Sequence, residues 1–458
     1  MTALTQDYKM VDLIAKKRDG GKLSAAELRF WLAGMLNGDI PDYQTAAMLM
    51  AIYFQGLDDE ETCLLTEEIV RSGEVLDLSR LPGCKADKHS TGGVGDKTTL
   101  VAIPLAAACG LTVVKMSGRS LGKTGGTADK LESVSGFRLA LSPEDLQRQA
   151  EEDRLVLITQ SRNLTPADKR LYALRDLTAT VDSLPLIAAS VMSKKLAAGA
   201  EVIVLDVKFG SGAFMADAAS AVRLAELMVR IGTAAGRRVS AVISSMQAPL
   251  GRAVGNAVEV WEAAEVLRGR GAADVTKLSL VLTAEMLYLG GVAVSRRAGL
   301  AQAAAALNDG RGLDKLLNLL RAQGGDTAAL ETGAILSAPV VRQVYAPQSG
   351  WLAALDAEAV ATLVQNLGAG RLRVEDEIDH SVGVWLQKQV GDELTSGEPL
   401  AIIYANSEDK AEQAAAAFAA CCQITAERLN LPPLIHGAVT AEGFIPWADL
   451  APLYGLKA

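Results

Sequence analysis

Apolar positions recur at helical spacing through the first seventy residues, and no strand-like alternation interrupts them. Ser24-Ala25-Ala26-Glu27 has the form of a capping box and opens a helix with Leu28, Trp31, Leu32 and Met35 on one face. Pro41-Asp42 begins a second helix, rich in Ala47, Met48, Met50 and Ile52, and Asp58 or Asp59 caps a third containing Leu64, Leu65 and Ile69. Near Leu81-Pro82-Gly83 the texture changes. A polar, glycine-rich segment from Lys88 to Asp96 reads as a loop and precedes an apolar helix from about Thr98 to Cys109. Short apolar runs at 111–116, 154–159 and 201–206 read as buried strands, with a second glycine-rich loop at 117–127. The stretch from about Asp168 to Gly199 is helical again and could rejoin the N-terminal layer. Ala-rich helices are expected over 216–235, 258–268 and 275–289. After Tyr345 the pattern shifts to short, turn-bounded β segments, including 349–352 and 391–394, with an amphipathic helix before them and another over 409–429.

A chain of 458 residues exceeds the usual single-domain size, so two or three domains are expected. Half the residues are apolar and only 4% are aromatic, which suits helices on a parallel sheet and leaves little for base-stacking platforms. A net charge of −9 argues against a general nucleic-acid or anionic-membrane surface, so any bound anion needs a local cluster of donors. The five cysteines lack metal-ligand spacing and read as thiols of a reducing compartment. The N-terminus lacks a basic stretch followed by an apolar core, and apolar runs are interrupted before membrane-spanning length, so a cytoplasmic protein is expected.

Chemistry concentrates in the two glycine-rich loops. Backbone N–H groups exposed by glycine, and the N-terminus of a following helix, can surround an anion. The first loop offers Lys88, Ser90 and Thr99, the second Lys115, Ser117 and Thr127, a set suited to one tetrahedral phosphate; two ordinary surface turns are the plainer alternative. Residues 117–124 miss a nucleoside-triphosphate-binding loop only at its first glycine, and the strand ending at Asp206 would serve as its magnesium-binding partner. Gly125-Gly126, however, stand where that motif requires a helix. His89 lies between Lys88 and Ser90, where neighbouring cations favour its neutral, hydrogen-bond-donating form; His380 and His436 have no such company.

Lys88–Asp96 and the run SGRSLGKTGGTADKLE over 117–132 resemble the signature loops of the thymidine and pyrimidine-nucleoside phosphorylase family. Arg175, the stretch Asp176 to Pro185, Ser190 and Lys194-Lys195 are similar to its base-binding segment, and the likeness covers nearly the whole chain. Ser120 and Lys123 depart from the usual small residue and histidine of the second loop. The resemblance implies an α/β fold: a small all-α domain (1–72 plus 166–200) and a large α/β domain with a central mixed sheet (73–165 plus 201–340). A C-terminal α+β module (341–458) completes it. It implies that a cleft between the first two domains closes to assemble the site.

The implied reaction is reversible phosphorolysis of uridine, thymidine and deoxyuridine by a homodimer joined through the helical domain, with no organic cofactor. Lys88, Ser90, Thr99, Lys115, Ser117 and Thr127 would hold phosphate. His89, Arg175, Ser190 and Lys194 would hold the pyrimidine edge, with His89, Arg175 and Lys194 stabilising the departing base. Tyr172, Leu121, Val181, Ile187 and Phe214 would line its ring, or could equally be core. Members confined to deoxyribosides tend to carry Met where this chain has Lys115, so both sugars are expected to be accepted. The resemblance also implies a potassium ion held at Gly95, Leu250, Ala253 and Glu262. Lys97 stands where a threonine is usual; either its ammonium takes the cation's place and pairs with Glu262, or it points to solvent and the ion binds. An anthranilate-type phosphoribosyltransferase is the nearest rival; it would need acidic ligands for magnesium pyrophosphate, and the Arg175–Lys194 segment argues against it. Val390–Leu400 resembles the hammerhead turn of biotinyl and lipoyl carriers but lacks a Met-Lys-Met, so a structural turn is expected.

Overall fold

A computed structural model describes residues 8–119, 125–159, 163–371 and 376–457. The chain opens with helices α1 (Met10–Arg18), α2 (Ala25–Asn37), α3 (Asp42–Gln55) and α4 (Asp59–Arg71). Strand β1 (Lys85–Ser90), α5 (Thr98–Ala108), β2 (Thr112–Ser117), α6 (Thr127–Leu131), α7 (Pro143–Asp153) and β3 (Leu155–Thr159) follow. Next come α8 (Pro166–Leu177), α9 (Leu184–Ala197), β4 (Val202–Phe209), α10 (Ala218–Ala234), β5 (Arg238–Ser245) and β6 (Ala253–Gly255). Helices α11 (Ala257–Leu267), α12 (Ala273–Leu289), α13 (Arg296–Asn308), α14 (Arg311–Ala322) and α15 (Ala328–Thr332) form a long helical run. The C-terminal part holds β7 (Val340–Tyr345), β8 (Gly350–Leu355), α16 (Ala357–Val364), β9 (Gly383–Leu386), β10 (Glu393–Leu394) and β11 (Pro399–Ala405). It closes with α17 (Glu408–Ala420), β12 (Cys422–Thr425), β13 (Ile435–Thr440), β14 (Gly443–Pro446) and α18 (Trp447–Tyr454). The described residues fall into two compact units, one comprising 8–80, 163–200 and 223–239, the other comprising the rest.

The first unit is helical. The Ser24 side chain accepts from the Glu27 N–H while Glu27 accepts from the Ser24 N–H, and Asp58 and Glu61 repeat the arrangement at α4. These reciprocal bonds satisfy N–H groups that a helix start otherwise leaves without partners. Trp31, Met35, Met48, Leu49, Ile52 and Leu65 form its core together with Leu171, Leu186 and Ala189 of α8 and α9. Helix α1 is not visible in the apolar pattern, because only Met10 and Leu13 supply buried apolar side chains. Its third buried residue is Lys17, whose ammonium lies 2.8 Å from Glu61.

The second unit is built on a seven-stranded sheet ordered β14-β13-β5-β4-β1-β2-β3. Strands β4, β1, β2 and β3 run parallel, whereas β13 is antiparallel to both β5 and β14, so the sheet is mixed. Helix α5 crosses from β1 to β2 and packs against α12 and α14. Two corrections to the sequence pattern arise here. The segment beginning at Lys88 does not start as a loop: Lys85–Ser90 is a strand between β2 and β4, in register Lys88 to Val204 and Ser90 to Asp206. Its polar composition hides it, because the buried charges of Lys88 and Asp87 are met by ion pairs. Strand β5, unpredicted, is buried along six consecutive residues.

The C-terminal part contributes a three-stranded sheet, β10-β8-β12, and a four-stranded one, β6-β9-β11-β7. Strand β6 joins the latter from earlier in the chain, while β13 and β14 join the large sheet. The expected helix over 409–429 is shorter: α17 stops at Ala420, and Cys422–Thr425 pairs with β8 instead. The hammerhead-like segment carries Gly391 at φ 96° and leads into β10, which pairs with β8. All five cysteines are free thiols, and burial pushes Cys421 and Cys422 up to about 11 and about 12.

Candidate active site

Because β1 and β2 are adjacent and parallel, Ser90 and Ser117 both end their strands on the same sheet edge. That carboxyl edge is where open α/β sheets bind ligands. The chain leaving β1 turns through Gly92 (φ 91°) and Gly95 (φ 71°), conformations that a β-carbon disfavours, and enters α5 at Thr98-Thr99. The chain leaving β2 passes Gly118 and enters α6 at Thr127. Between these, Ser120, Leu121, Gly122, Lys123 and Thr124 lie outside the described residues, including the expected ring contact of Leu121 and the triphosphate-loop variant. Lys88, Thr99, Lys115 and Ser117 are buried, and His89, Ser90 and Thr127 are half-buried.

Behind this edge runs a continuous network of charge. The Lys88 ammonium donates to Thr98 Oγ1 at 2.6 Å and Thr99 Oγ1 at 3.3 Å, and lies 3.2 Å from Asp206 Oδ2. Asp206 also accepts from Lys208 at 2.9 Å and from Ser244 at 2.8 Å. Ser90 donates its hydroxyl proton to Asp96 in a short bond and accepts the Gly92 N–H at 3.2 Å, so it serves an anion only by turning that proton away from Asp96. Lys130 ties the second loop to the first, donating to the Asp96 carbonyl at 2.8 Å while lying 2.7 Å from Glu259 of α11. Lys115 donates to the Met116 carbonyl at 2.9 Å and lies 3.5 Å from Asp87. Burial alone would raise the Asp96 carboxyl, but Lys208, Lys88, Lys130 and the Ser90 hydroxyl hold it far below the ordinary carboxylate range. Burial likewise opposes the charge on Lys208, and Asp206 with Asp96 outweighs it, raising its pKa.

In the helical unit, Arg175 is buried and donates to the carbonyls of Thr180 (3.3 Å), Leu186 (3.0 Å) and Val181 (2.5 Å). Its guanidinium lies 5.6 Å from the Tyr172 ring centroid. Burial lowers the Arg175 pKa despite nearby Asp168, and burial raises that of Tyr172. One turn apart on α9, Lys194 donates to Ser190 Oγ at 2.9 Å and to the Ser190 carbonyl at 3.1 Å, and it forms a close ion pair with Asp168. The helical unit thus brings together Tyr172, Arg175, Ser190 and Lys194, with Val181 and Ile187 half-buried beside them in the chain. Phe214 belongs to the other unit, in the turn after β4, and is half exposed.

The residues expected to hold potassium do converge. Lys97 donates to the carbonyls of Leu250 (2.6 Å) and Ala253 (3.0 Å) and lies 2.7 Å from Glu262 Oε2, while a β-carbon on Gly95 would meet the same two carbonyls. Lys97 is 1% exposed, so it does not point to solvent. The apolar and charged pattern did not single out Asp96, Lys130, Lys208 or Glu259, and it read Asp206 only as part of a discarded motif. A signal was present in β4, where Asp206 and Lys208 stand two apart in an apolar strand and therefore share one face. His436 stacks on Phe444 with ring centroids 5.6 Å apart, and burial lowers the pKa of His380.

Comparison with known proteins covers the same regions. Residues 83–313 match the family model described as glycosyl transferase family, a/b domain, and residues 11–73 match its helical bundle domain. Residues 351–425 match the pyrimidine nucleoside phosphorylase C-terminal domain. Pyrimidine-nucleoside phosphorylases of Staphylococcus haemolyticus and Geobacillus stearothermophilus are each 48% identical over 433 residues, spanning 94% of this chain and 100% of theirs. That of Bacillus subtilis is 47% identical over the same span. Among solved structures, anthranilate phosphoribosyltransferase of Thermus thermophilus aligns with a TM-score of 0.56 and 20% identity, over 68% of this chain and 99% of that one. That likeness concerns the fold alone.

Proposed function

The chain belongs to the pyrimidine-nucleoside phosphorylase family, and from that premise we propose that it catalyses reversible phosphorolysis of uridine, thymidine and deoxyuridine. A phosphate oxygen attacks the anomeric carbon, the glycosidic C–N bond breaks, and the base departs with the bonding electrons. The products are the free base and (deoxy)ribose 1-phosphate. One observation carries the reading: the likeness to phosphorylases extends over 94% of the chain, and the matched a/b domain over 83–313 contains both hydroxyl- and lysine-bearing strand ends.

In this reading Ser90, Ser117, Thr99 and Thr127, with Lys88 and Lys115 behind them, hold phosphate at the β1–β2 edge. The ammonium of Lys88 keeps Thr98 and Thr99 oriented and supplies positive charge where the dianion sits. Arg175 and Lys194 supply charge, and Ser190 and His89 neutral donors, to the oxygens and nitrogen of the departing base. Arg175 is held by three main-chain carbonyls, so its guanidinium needs little reorganisation as charge develops. Tyr172 and Ile187 provide apolar surface beside it. Lys115 accommodates ribose as well as deoxyribose. The working form is a homodimer through the helical unit, whose exposed Tyr43, Phe54 and Val11 are apolar surface available for pairing. The cytoplasm is the compartment consistent with these substrates.

Purified protein incubated with uridine or thymidine tests the activity. Free base and sugar 1-phosphate should appear in equal amounts, and only when inorganic phosphate is present. Base released without phosphate, or with pyrophosphate alone, would overturn the proposal.

A further inference from the structure

Potassium is the group that the family resemblance implies, and the oxygens that would bind it are already engaged. A lysine ammonium has three hydrogens. Those of Lys97 are directed at the Leu250 carbonyl, the Ala253 carbonyl and Glu262 Oε2, at 2.6, 3.0 and 2.7 Å. The carboxylate is held independently, because Glu262 Oε1 and Oε2 accept the Arg252 and Ala253 N–H groups at 2.6 and 2.7 Å. Gly95 and Gly251 close around the same atoms: an added β-carbon would fall 2.7 Å from the Leu250 carbonyl in one case and 2.6 Å from Glu262 Oε1 in the other. Lys97 and Glu262 are both about 1% exposed, so their opposite charges meet in an enclosure closed to bulk solvent. A second cation sharing these oxygens would sit against the Lys97 ammonium, which already takes both carbonyls and pairs with Glu262. The residues present therefore do not fit a bound metal ion.

We infer that Lys97 is a covalently tethered monovalent cation, which makes this protein independent of dissolved potassium for stability and for phosphate binding. An ammonium group closely resembles potassium in size and charge, and the cage of two main-chain carbonyls and a carboxylate suits either. Tethering changes the consequence. The loop Gly92–Lys97 is joined to the 250–253 turn and to α11 whatever the ionic composition. Glu259, one turn before Glu262 on α11, receives Lys130 in parallel, so one helix anchors both glycine-rich loops. Lys97 acts as a positioning residue: it fixes the backbone beside Asp96, which in turn orients Ser90.

The test uses the full-length protein in sodium, potassium, ammonium, lithium and choline chlorides at matched ionic strength. For the natural protein, the midpoint of thermal unfolding and the phosphate KM should be the same in every salt. Titration with thallium(I), followed by its NMR signal, should show no saturable site. A potassium-specific rise in the unfolding midpoint or fall in the phosphate KM, or a bound thallium ion, would overturn the inference. Replacement Lys97→Thr empties the cage and leaves Glu262 without its cation. Its unfolding midpoint should fall by about 5 °C or more in choline and be recovered by potassium or ammonium but not by lithium. Its phosphate KM should rise and recover with the same ion selectivity while its uridine KM stays constant. A Lys97→Thr protein indifferent to all five cations would count against a cation cage. If that variant does not fold, the salt series and thallium titration on the natural protein still decide. The unfolding midpoint and the thallium titration depend neither on which nucleoside the enzyme prefers nor on whether phosphorolysis is its reaction.

Discussion

The β1–β2 edge of the α/β unit and the α8–α9 face of the helical unit both gather cations, but they hold them differently. In the α/β unit, buried Lys88, Lys97, Lys115, Lys130 and Lys208 each face a carboxylate. In the helical unit, Arg175 rests on neutral main-chain carbonyls, and Lys194, with its side chain 27% exposed, pairs with Asp168. Buried charges of the first kind are interdependent, since removing one partner leaves another uncompensated in a low-dielectric interior. Lys194 shares this dependence through buried Asp168, whereas Arg175 rests on neutral groups. The α/β network should therefore respond to mutation with lost stability as well as lost phosphate binding, and Arg175 chiefly with lost base binding.

The largest expected effect is at Asp206, which neutralises Lys88 and Lys208 together. Asp206→Ala should destabilise the protein by about 3–5 kcal/mol, as for a broken buried pair. Denaturant unfolding checks this, and a loss below about 1 kcal/mol would blur the contrast between the two regions.

Arg175→Ala comes next, and it should act on catalysis. Losing a charged donor to the departing base should lower kcat/KM for uridine by about 2.7–4 kcal/mol, roughly a hundred- to a thousandfold, as for removal of an oxyanion-hole donor. Steady-state kinetics at saturating phosphate measures it. An equal fall in phosphate affinity would erase the proposed division of labour.

A pH series sharpens the same contrast. The folded pKa of Asp96 is lowered, so its contribution to stability is complete above the unfolded value near 3.9 and is lost as pH falls through the folded one. The pKa of Lys208 is raised, so its contribution is complete below the unfolded value near 10.4 and is lost as pH rises through the folded one. Unfolding free energy of the natural protein should thus owe nothing to changes at these two groups between about pH 5 and 9. Asp96→Asn should lose stability throughout that window, and a variant as stable as the natural protein at pH 7 would contradict the network.

The smallest effect is on sugar choice. Lys115→Met should lose uridine cleavage preferentially over thymidine cleavage, by about tenfold, a difference of about 1.4 kcal/mol. Equal loss on both nucleosides would remove Lys115 from sugar discrimination.

Much of this contrast was legible in the sequence, but unevenly. The capping box at Ser24 and the cap at Asp58 or Asp59 announced helices that the structure contains, because a cap is a local signal. The apolar β2, β3 and β4 were visible for the same reason. Strand β1 was not, since Lys85, Asp87, Lys88 and His89 look like loop residues until their partners on β2 and β4 are known. The phosphate-side residues could be recognised as a motif, whereas Asp96, Lys130 and Lys208 become meaningful only through contacts with distant residues such as Glu259 and Ser244. Long-range pairing is what a pattern of single positions does not carry.

The division of labour is tested most directly by titrating phosphate and uridine against two variants, Lys88→Ala and Lys194→Ala. Removing a charge-assisted bond costs about 1.5–3 kcal/mol. Lys88→Ala should therefore raise the phosphate KM by roughly ten- to a hundredfold and leave the uridine KM within about twofold. Lys194→Ala should do the reverse. An unchanged phosphate KM in Lys88→Ala, or parallel shifts for both substrates in both variants, would contradict the assignment of phosphate to the α/β unit and base to the helical one.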